Sequence, residues 1–176
     1  YINVSEAHML NPQDAKLALR RLFQRSPAAK LDALYKVLKT RSRMSVFRRL
    51  KEAGYLSSYT HTCRYYTLST IPQFDTLGLW HYRDVGFSRA GTLKATVAGL
   101  VDSSSAGWTP LELQQALHVR VHNALQDLVH TGRIHREPLA AKRPLYLSAD
   151  KARAVKQFAQ RLKAGAGMDL PASGVV

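Results

Sequence analysis

An internal repeat constrains the fold of this 176-residue chain more than any other feature. The segment Ser42–Leu56 aligns with Arg120–Ile134 at an offset of 78 residues, so that apolar positions match while polar positions diverge. The match continues on both sides at an offset of 79 residues, where Leu34 meets Leu113 and Leu68 meets Leu147. Self-similarity at a nearly fixed offset is the signature of a duplicated structural unit. The sequence therefore predicts two copies of one fold.

The first copy is predicted to contain three helices followed by a hairpin. Asn11-Pro12 begins a helix, and Ser26-Pro27 ends it. The third helix, 43–53, lies between an N-capping Ser42 and Gly54. The apolar stripes of the first two helices are Leu17, Leu19, Leu22 and Phe23, then Leu31, Leu34, Tyr35 and Leu38. Two strands are expected at 55–59 and 64–68, joined by a polar turn.

The second copy repeats this order. A helix is expected over 92–102, and Thr109-Pro110-Leu111-Glu112 has the spacing of a capping box that begins the next one. A third helix is expected from about Arg120 to Thr131, and a hairpin from 134–136 and 144–147. We therefore assign domains to 1–70 and 92–149, an ordered aromatic connector to 71–91, a C-terminal helix to 150–164 and a flexible tail to 165–176.

Charge indicates the class of partner. The chain has 26 Lys and Arg against 12 Asp and Glu, a net charge of +14. Residues 1–70 hold 13 of the basic and 4 of the acidic residues, a net of +9. Such an excess concentrates polyanions, because each neutralised phosphate releases counterions. The distribution favours nucleic acid as the partner and the first copy as its main contact.

The third helices with their following hairpins resemble the winged helix-turn-helix superfamily of bacterial DNA-binding regulators. The resemblance implies a mainly α fold with small β-hairpin wings (α+β), made of two tandem winged helix-turn-helix domains and a C-terminal helix. It also implies that the third helix enters the major groove of DNA, where its solvent-facing residues read base edges.

The resemblance selects the candidate contacts in each copy. In the first copy, the base-reading residues are Arg43, Ser45, Arg48 and Arg49. Phosphate and wing contacts are Lys39, Arg41, Lys51, His61 and Arg64, with Thr60 and Thr62 at the wing tip. The second copy offers Arg120, His122, Asn123, Gln126, Arg133, Arg136, Lys142 and Arg143. Its third helix is nearly neutral, which fits either adenine reading by Asn and Gln or contact with protein.

Catalytic and metal-binding patterns are missing from the sequence. Cys63 is the only cysteine, and the seven histidines form no H-E-x-x-H arrangement. No nucleophile–base set or phosphate-binding glycine loop occurs. We therefore expect no enzymatic activity, no metal and no cofactor.

The expected function is sequence-specific binding of double-stranded DNA, as a transcriptional regulator or a mobile-element accessory protein. Two alternatives remain: a non-catalytic adaptor in a chromosome-organising complex, and the DNA-binding part of a larger recombinase or transposase. A homodimer through the C-terminal helix or the second copy is a further expectation. The stripe Ala154, Val155, Phe158 and Leu162 either pairs chains or packs on the second copy, and packing is favoured. No run of eighteen apolar residues and no secretory signal pattern occurs, so we expect a cytoplasmic, nucleoid-associated protein without a membrane span.

Overall fold

The predicted helices and hairpins are present in a computed structural model that describes residues 10–166. Its fold is α+β, with helices and small antiparallel sheets. The chain divides into two units, 1–92 and 93–176. No helix within 10–166 is long and apolar enough to cross a bilayer.

The described part of the first unit, 10–92, contains three α-helices: α1 (Pro12–Arg25), α2 (Leu31–Leu38) and α3 (Arg43–Ala53). Two of the predicted caps are confirmed, because Asn11 accepts a hydrogen bond from the backbone N–H of Asp14 and Ser42 accepts one from that of Ser45. Each satisfies an N–H group that the first helical turn leaves without a partner. Local sequence thus determines where α1 and α3 begin.

The predicted apolar stripe of α1 is wrong at one position. The side chain of Leu17 is 49% exposed, and Ala15 occupies the buried position instead. Positions 15, 19, 22 and 23 follow the helical i, i+4, i+7, i+8 spacing, whereas position 17 lies on the solvent side. The core of this unit contains Ala15, Leu19, Leu22, Phe23, Ala29, Leu34, Leu38, Val46, Leu50, Tyr66 and Leu68.

A three-stranded sheet completes this core. It contains β1 (Ala29–Lys30), β2 (Tyr55–Ser57) and β3 (Tyr65–Leu68) in the order β1-β3-β2, with antiparallel pairing. The sequence did not predict β1, because two residues are too short to show an alternating pattern.

The 71–91 segment contributes a second hairpin to the same unit. Its strands are β4 (Leu79–Tyr82) and β5 (Val85–Ser88), and the unit ends at residue 92 rather than 70. Phe87 packs in a cluster with Leu56 and Tyr65, which alternate along β2 and β3 with residues of the main core. The segment predicted as a connector therefore covers the outer face of the sheet, because its aromatic side chains find apolar surface there.

The second unit repeats the order of three helices followed by a hairpin, without counterparts of β1 and the β4–β5 hairpin among the described residues. It contains α4 (Leu93–Ser103), α5 (Pro110–Leu117), α6 (His122–His130), β6 (Ile134–Pro138) and β7 (Pro144–Ser148). The capping box at Thr109 and Glu112 is confirmed. Helix α6 begins two residues later than predicted, because a left-handed His118 (φ +58°) ends α5 and the following turn extends to a buried Val121.

A final helix, α7 (Lys151–Ala166), covers the outer face of the β6–β7 hairpin. Its Ala154 and Phe158 pack with Leu145 and Leu147. The predicted packing of the α7 stripe is therefore confirmed for these two residues, whereas Val155 and Leu162 are exposed. The helix extends two residues beyond its predicted end at 164, and most of the predicted tail, 167–176, lies outside the described residues.

Polar contacts also fix α7 to the second unit. The Arg161 guanidinium donates to both carboxylate oxygens of Glu112, at 2.8 and 2.9 Å, and to the carbonyls of Ala106 and Gly107. Burial alone would raise the pKa of Glu112, but hydrogen bonds from Arg161 and Thr109 outweigh it and lower the pKa. The ionised carboxylate therefore links the start of α5 to α7.

The lowered pKa predicts acid sensitivity of the second unit. A carboxyl group whose pKa is lower in the folded state stabilises the fold above its unfolded pKa, and this contribution is lost as pH falls through the folded value. We expect the free energy of unfolding to fall between about pH 5 and pH 3, and to fall less in Glu112→Gln. Urea titrations of both proteins across this range measure the difference. Equal slopes with pH would contradict the role given to Glu112.

Candidate nucleic-acid interface

The solvent side of α3 carries basic residues and one large apolar residue. Arg43, Arg48 and Lys51 are exposed on this helix. Between them lies Met44, which the sequence did not predict as a contact. Its side chain is 84% exposed, more than any other large apolar side chain within 10–166. A helix surface that combines guanidinium groups with an apolar tip has the chemistry that reads a major groove, where Arg pairs with guanine and apolar groups contact the thymine methyl.

A groove of about 660 Å³ lies beside α3. The start of α2, the start of α3 and the β2–β3 hairpin form its walls. Three cations line it, Lys30, Arg43 and Arg64, against one acidic residue, Asp32. The remaining lining residues are Leu31, Phe47, Ser57, Thr62, Cys63 and Tyr66. This groove is therefore a positively charged channel next to the exposed face of α3.

Aromatic rings hold two of the three cations. The Nζ of Lys30 lies 5.2 Å from the ring centroid of Tyr65, and the Cζ of Arg43 lies 5.4 Å from that of Phe47. Such cation–π contacts restrict long side chains without neutralising their charge. Arg64 is exposed and makes no ion pair among the described residues. The groove therefore keeps its positive charge available to an anion.

Arg49 does not belong to the base-reading set, contrary to the sequence prediction. Its side chain is 9% exposed, and its guanidinium donates to the Leu10 carbonyl at 3.0 Å and to the Glu52 carboxylate at 3.1 Å. Position 49 lies at the border between the apolar and polar faces of α3, where helical periodicity alone does not decide burial. Here the Arg49 side chain is buried because it contacts Leu10, in the segment before α1.

The wing tip faces the β4–β5 hairpin, which also corrects the sequence prediction. Thr60 is buried, and its Oγ1 accepts a hydrogen bond from the Gly86 N–H at 2.9 Å. The Nε2 of His61 lies 3.1 Å from the Asp84 carboxylate. Thr60 is therefore unavailable to DNA. The imidazole of His61 contacts the Asp84 carboxylate, so its Nε2 does not point to solvent alone as a phosphate contact would require.

The turn at 61–63 has an unusual backbone. His61, Thr62 and Cys63 all have positive φ, between 52° and 59°. Left-handed conformation costs about 1–2 kcal/mol for each such residue. The turn places Thr62 and Cys63 on the wall of the groove, and Cys63 is an exposed free thiol. The hydrogen bonds of Thr60 and Ser58 with neighbouring backbone stabilise this geometry.

The other phosphate candidates of the first unit lie on the surface. Lys39 is in the left-handed conformation (φ +52°) that ends α2, and Arg41 lies in the turn before α3. Both are exposed, as is Lys51 near the end of α3. Ser45 is half-buried, and its backbone N–H is bonded to the Ser42 cap.

The second unit presents a different surface. All of its candidate contacts are exposed: Arg120, His122, Asn123, Gln126, Arg133, Arg136, Lys142 and Arg143. On α6, the carboxylate of Asp127 lies 2.7 Å from Nζ of Lys94, which lowers the pKa of this acid through their hydrogen bond and opposite charges. Lys142 and Arg143 are in or beside the turn of the β6–β7 hairpin. The candidate cations of this unit therefore lie mainly around its hairpin, and those of the first unit lie on α3, in the turn before α3 and beside the groove.

No group of histidine, cysteine and acidic side chains in residues 10–166 has the arrangement of a metal site. Scans of known protein families and of curated protein sequences find no match to this chain.

Proposed function

We propose that this protein binds double-stranded DNA sequence-specifically through two winged helix-turn-helix units, with α3 of the first unit in the major groove. The observation that carries the proposal is the positively charged groove beside the exposed Arg43, Met44 and Arg48 of α3. An α-helix fits the major groove of B-DNA, whereas the RNA major groove is too narrow for side chains to read.

The residues divide by the part of DNA that they contact. Arg43, Met44 and Arg48 face bases, and Lys30, Lys39, Arg41 and Arg64 hold phosphates. Contacts with phosphate set the register and salt dependence of binding, whereas contacts with base edges carry sequence information. A regulator of transcription and an accessory protein of a mobile element share this chemistry.

In the second unit, the cations of the hairpin bind phosphate, and Asn123 and Gln126 are the candidates for reading adenine. One observation favours a second function for this unit. The exposed face of α6 is close to neutral, and its acidic Asp127 is paired with Lys94. Such a face suits contact with another protein as well as contact with DNA.

Selection of bound fragments from a random duplex library tests the proposal. We expect an enriched motif that loses information at one or two positions in Arg48→Ala, because a bidentate contact between Arg and guanine contributes about 1–3 kcal/mol of discrimination. Arg64→Ala should weaken binding to all sequences alike and reduce the dependence of log K on log salt concentration by about 1.

Arg20→Ala is the charge-matched control, since Arg20 is exposed on α1 and lies outside the groove. It should retain the motif and the salt dependence. An enriched motif unchanged in Arg48→Ala would refute base reading by α3. Absence of binding at low salt would refute the DNA proposal and leave the protein-adaptor role.

A further inference from the structure

An apolar groove of about 870 Å³ runs along α7 in the second unit. Its apolar lining includes Leu147, Ala154 and Phe158, together with Val129 and Ile134 from the end of α6 and the start of β6. None of these residues belongs to the proposed DNA contacts.

Two large apolar side chains that line the groove are exposed to solvent. Val155 is 69% exposed and Leu162 is 54% exposed, while the neighbouring Ala154 is buried. Val155, Phe158, Ala159 and Leu162 line the groove at i, i+3, i+4 and i+7 spacing, so they form one stripe on α7. A stripe of this kind packs against an amphipathic helix whose apolar residues have the same spacing.

The charge of α7 indicates which helix fits. Residues 151–166 contain five basic residues and no acidic residue. Lys151, Lys156 and Lys163 are exposed, and Lys151 lines the groove itself. The acidic residue that lines the groove, Glu137, has its carboxylate 2.6 Å from Nε2 of His135. A helix with Asp and Glu beside its apolar stripe would complement these lysines.

The same charges disfavour a second copy of this chain. Residues 93–176 carry 11 basic and 6 acidic residues, a net of +5. A symmetric contact between two α7 helices would bring their lysines together, and like charges across an interface oppose binding. The apolar stripe alone allows a homodimer, but the charges around it favour a different partner.

We propose that this groove binds an acidic amphipathic helix of a partner protein. The side chains of Val155 and Leu162 are the apolar anchors, and Lys151, Lys156 and Lys163 select the acidic partner. The lining of the groove includes none of the cations proposed to hold DNA, so binding there gives the second unit a role in recruiting protein.

Selection from a random display library of 16-residue peptides, with the whole chain as bait, tests the proposal. Enriched peptides should combine apolar residues at helical spacing with Asp and Glu at the flanks. In fluorescence polarisation with one such labelled peptide, Val155→Glu and Leu162→Glu should each weaken binding by about tenfold or more, as expected for anchor residues.

Ala152→Glu is the matched control, because Ala152 is exposed on α7 but does not line the groove. It introduces the same charge and should change binding much less. Unchanged far-ultraviolet circular dichroism would show that all three variants fold. Equal weakening by the three variants, or enrichment of peptides without acidic residues, would overturn the proposal. Light scattering that shows a dimer, dissociated by Leu162→Glu, would overturn it in favour of a second copy.

Discussion

We expect Gly107→Ala to lower the free energy of unfolding of the second unit by about 3 kcal/mol. Gly107 has φ +68°, where a side chain is strained, and a methyl group there would lie 2.7 Å from both the Tyr146 carbonyl oxygen and Cδ2 of Leu147. The carbonyl oxygen is backbone of β7, which is held on the neighbouring Trp108 by two hydrogen bonds. The clash therefore has to displace the strand.

Gly132→Ala measures the cost of the left-handed backbone conformation without a steric clash. Its φ of +71° is nearly the same, but a methyl group there has no heavy atom within 4 Å beyond the adjacent residues of the chain. We expect a loss of about 1 kcal/mol, from the backbone conformation alone. Urea unfolding in a Trp80→Phe background follows the second unit through the fluorescence of Trp108, the remaining tryptophan. Equal losses in the two variants would show that the close approach of Gly107 to β7 has no energetic effect.

Gln157→Leu should destabilise the same unit by about 3–5 kcal/mol, because each buried polar group left without a partner costs about 1–3 kcal/mol. The Gln157 side chain is almost completely buried. Its Oε1 accepts a hydrogen bond from the Ser148 N–H, and its Nε2 donates to the carbonyls of Val101 and Ser104, each at 2.8 Å. Leucine has a similar size but satisfies none of these groups.

Gln160→Leu makes the same substitution three residues later, at an exposed position of α7. We expect a change within about 0.5 kcal/mol, as for most surface substitutions. The Trp108 fluorescence measurement applies to both variants. A loss for Gln157→Leu no greater than that for Gln160→Leu would mean that this amide does not hold α7 on the unit.

The sequence predicted the elements whose signals are local. Ser42 caps α3 through the N–H of Ser45 three residues later, and Thr109 with Glu112 caps α5 in the same way. Helical spacing identified Leu34 and Leu38 as core residues, the repeat aligned Leu113 with Leu34, and all three are buried. Such signals depend on residues within one or two turns of each other, so they are readable before the chain is folded.

The candidate site was predictable only in part. The basic helix α3 and the hairpin that follows it stand out in the sequence, and the structure joins them through the groove that Arg43 and Arg64 share. The position of Lys30 beside Arg43 and Arg64 could not be predicted, because it depends on the pairing of Lys30 in β1 with Tyr65 in β3, 35 residues away. Met44 lacked a signal, since an apolar residue in a helix is usually assigned to the core.

Local sequence by itself determined where α1, α3 and α5 begin, most residues of the apolar stripes and the repeated order of three helices and a hairpin. Tertiary structure alone decided that Arg49 contacts the chain before α1, that Thr60 binds the backbone of β5, and that α7 packs a half-buried Phe158 against the β6–β7 hairpin while exposing Leu162. The physical reason is that a side chain on the border of an apolar face becomes buried only if a distant segment covers it. Capping and helical periodicity act between neighbours, whereas the covering of a face depends on contacts between residues far apart in the chain.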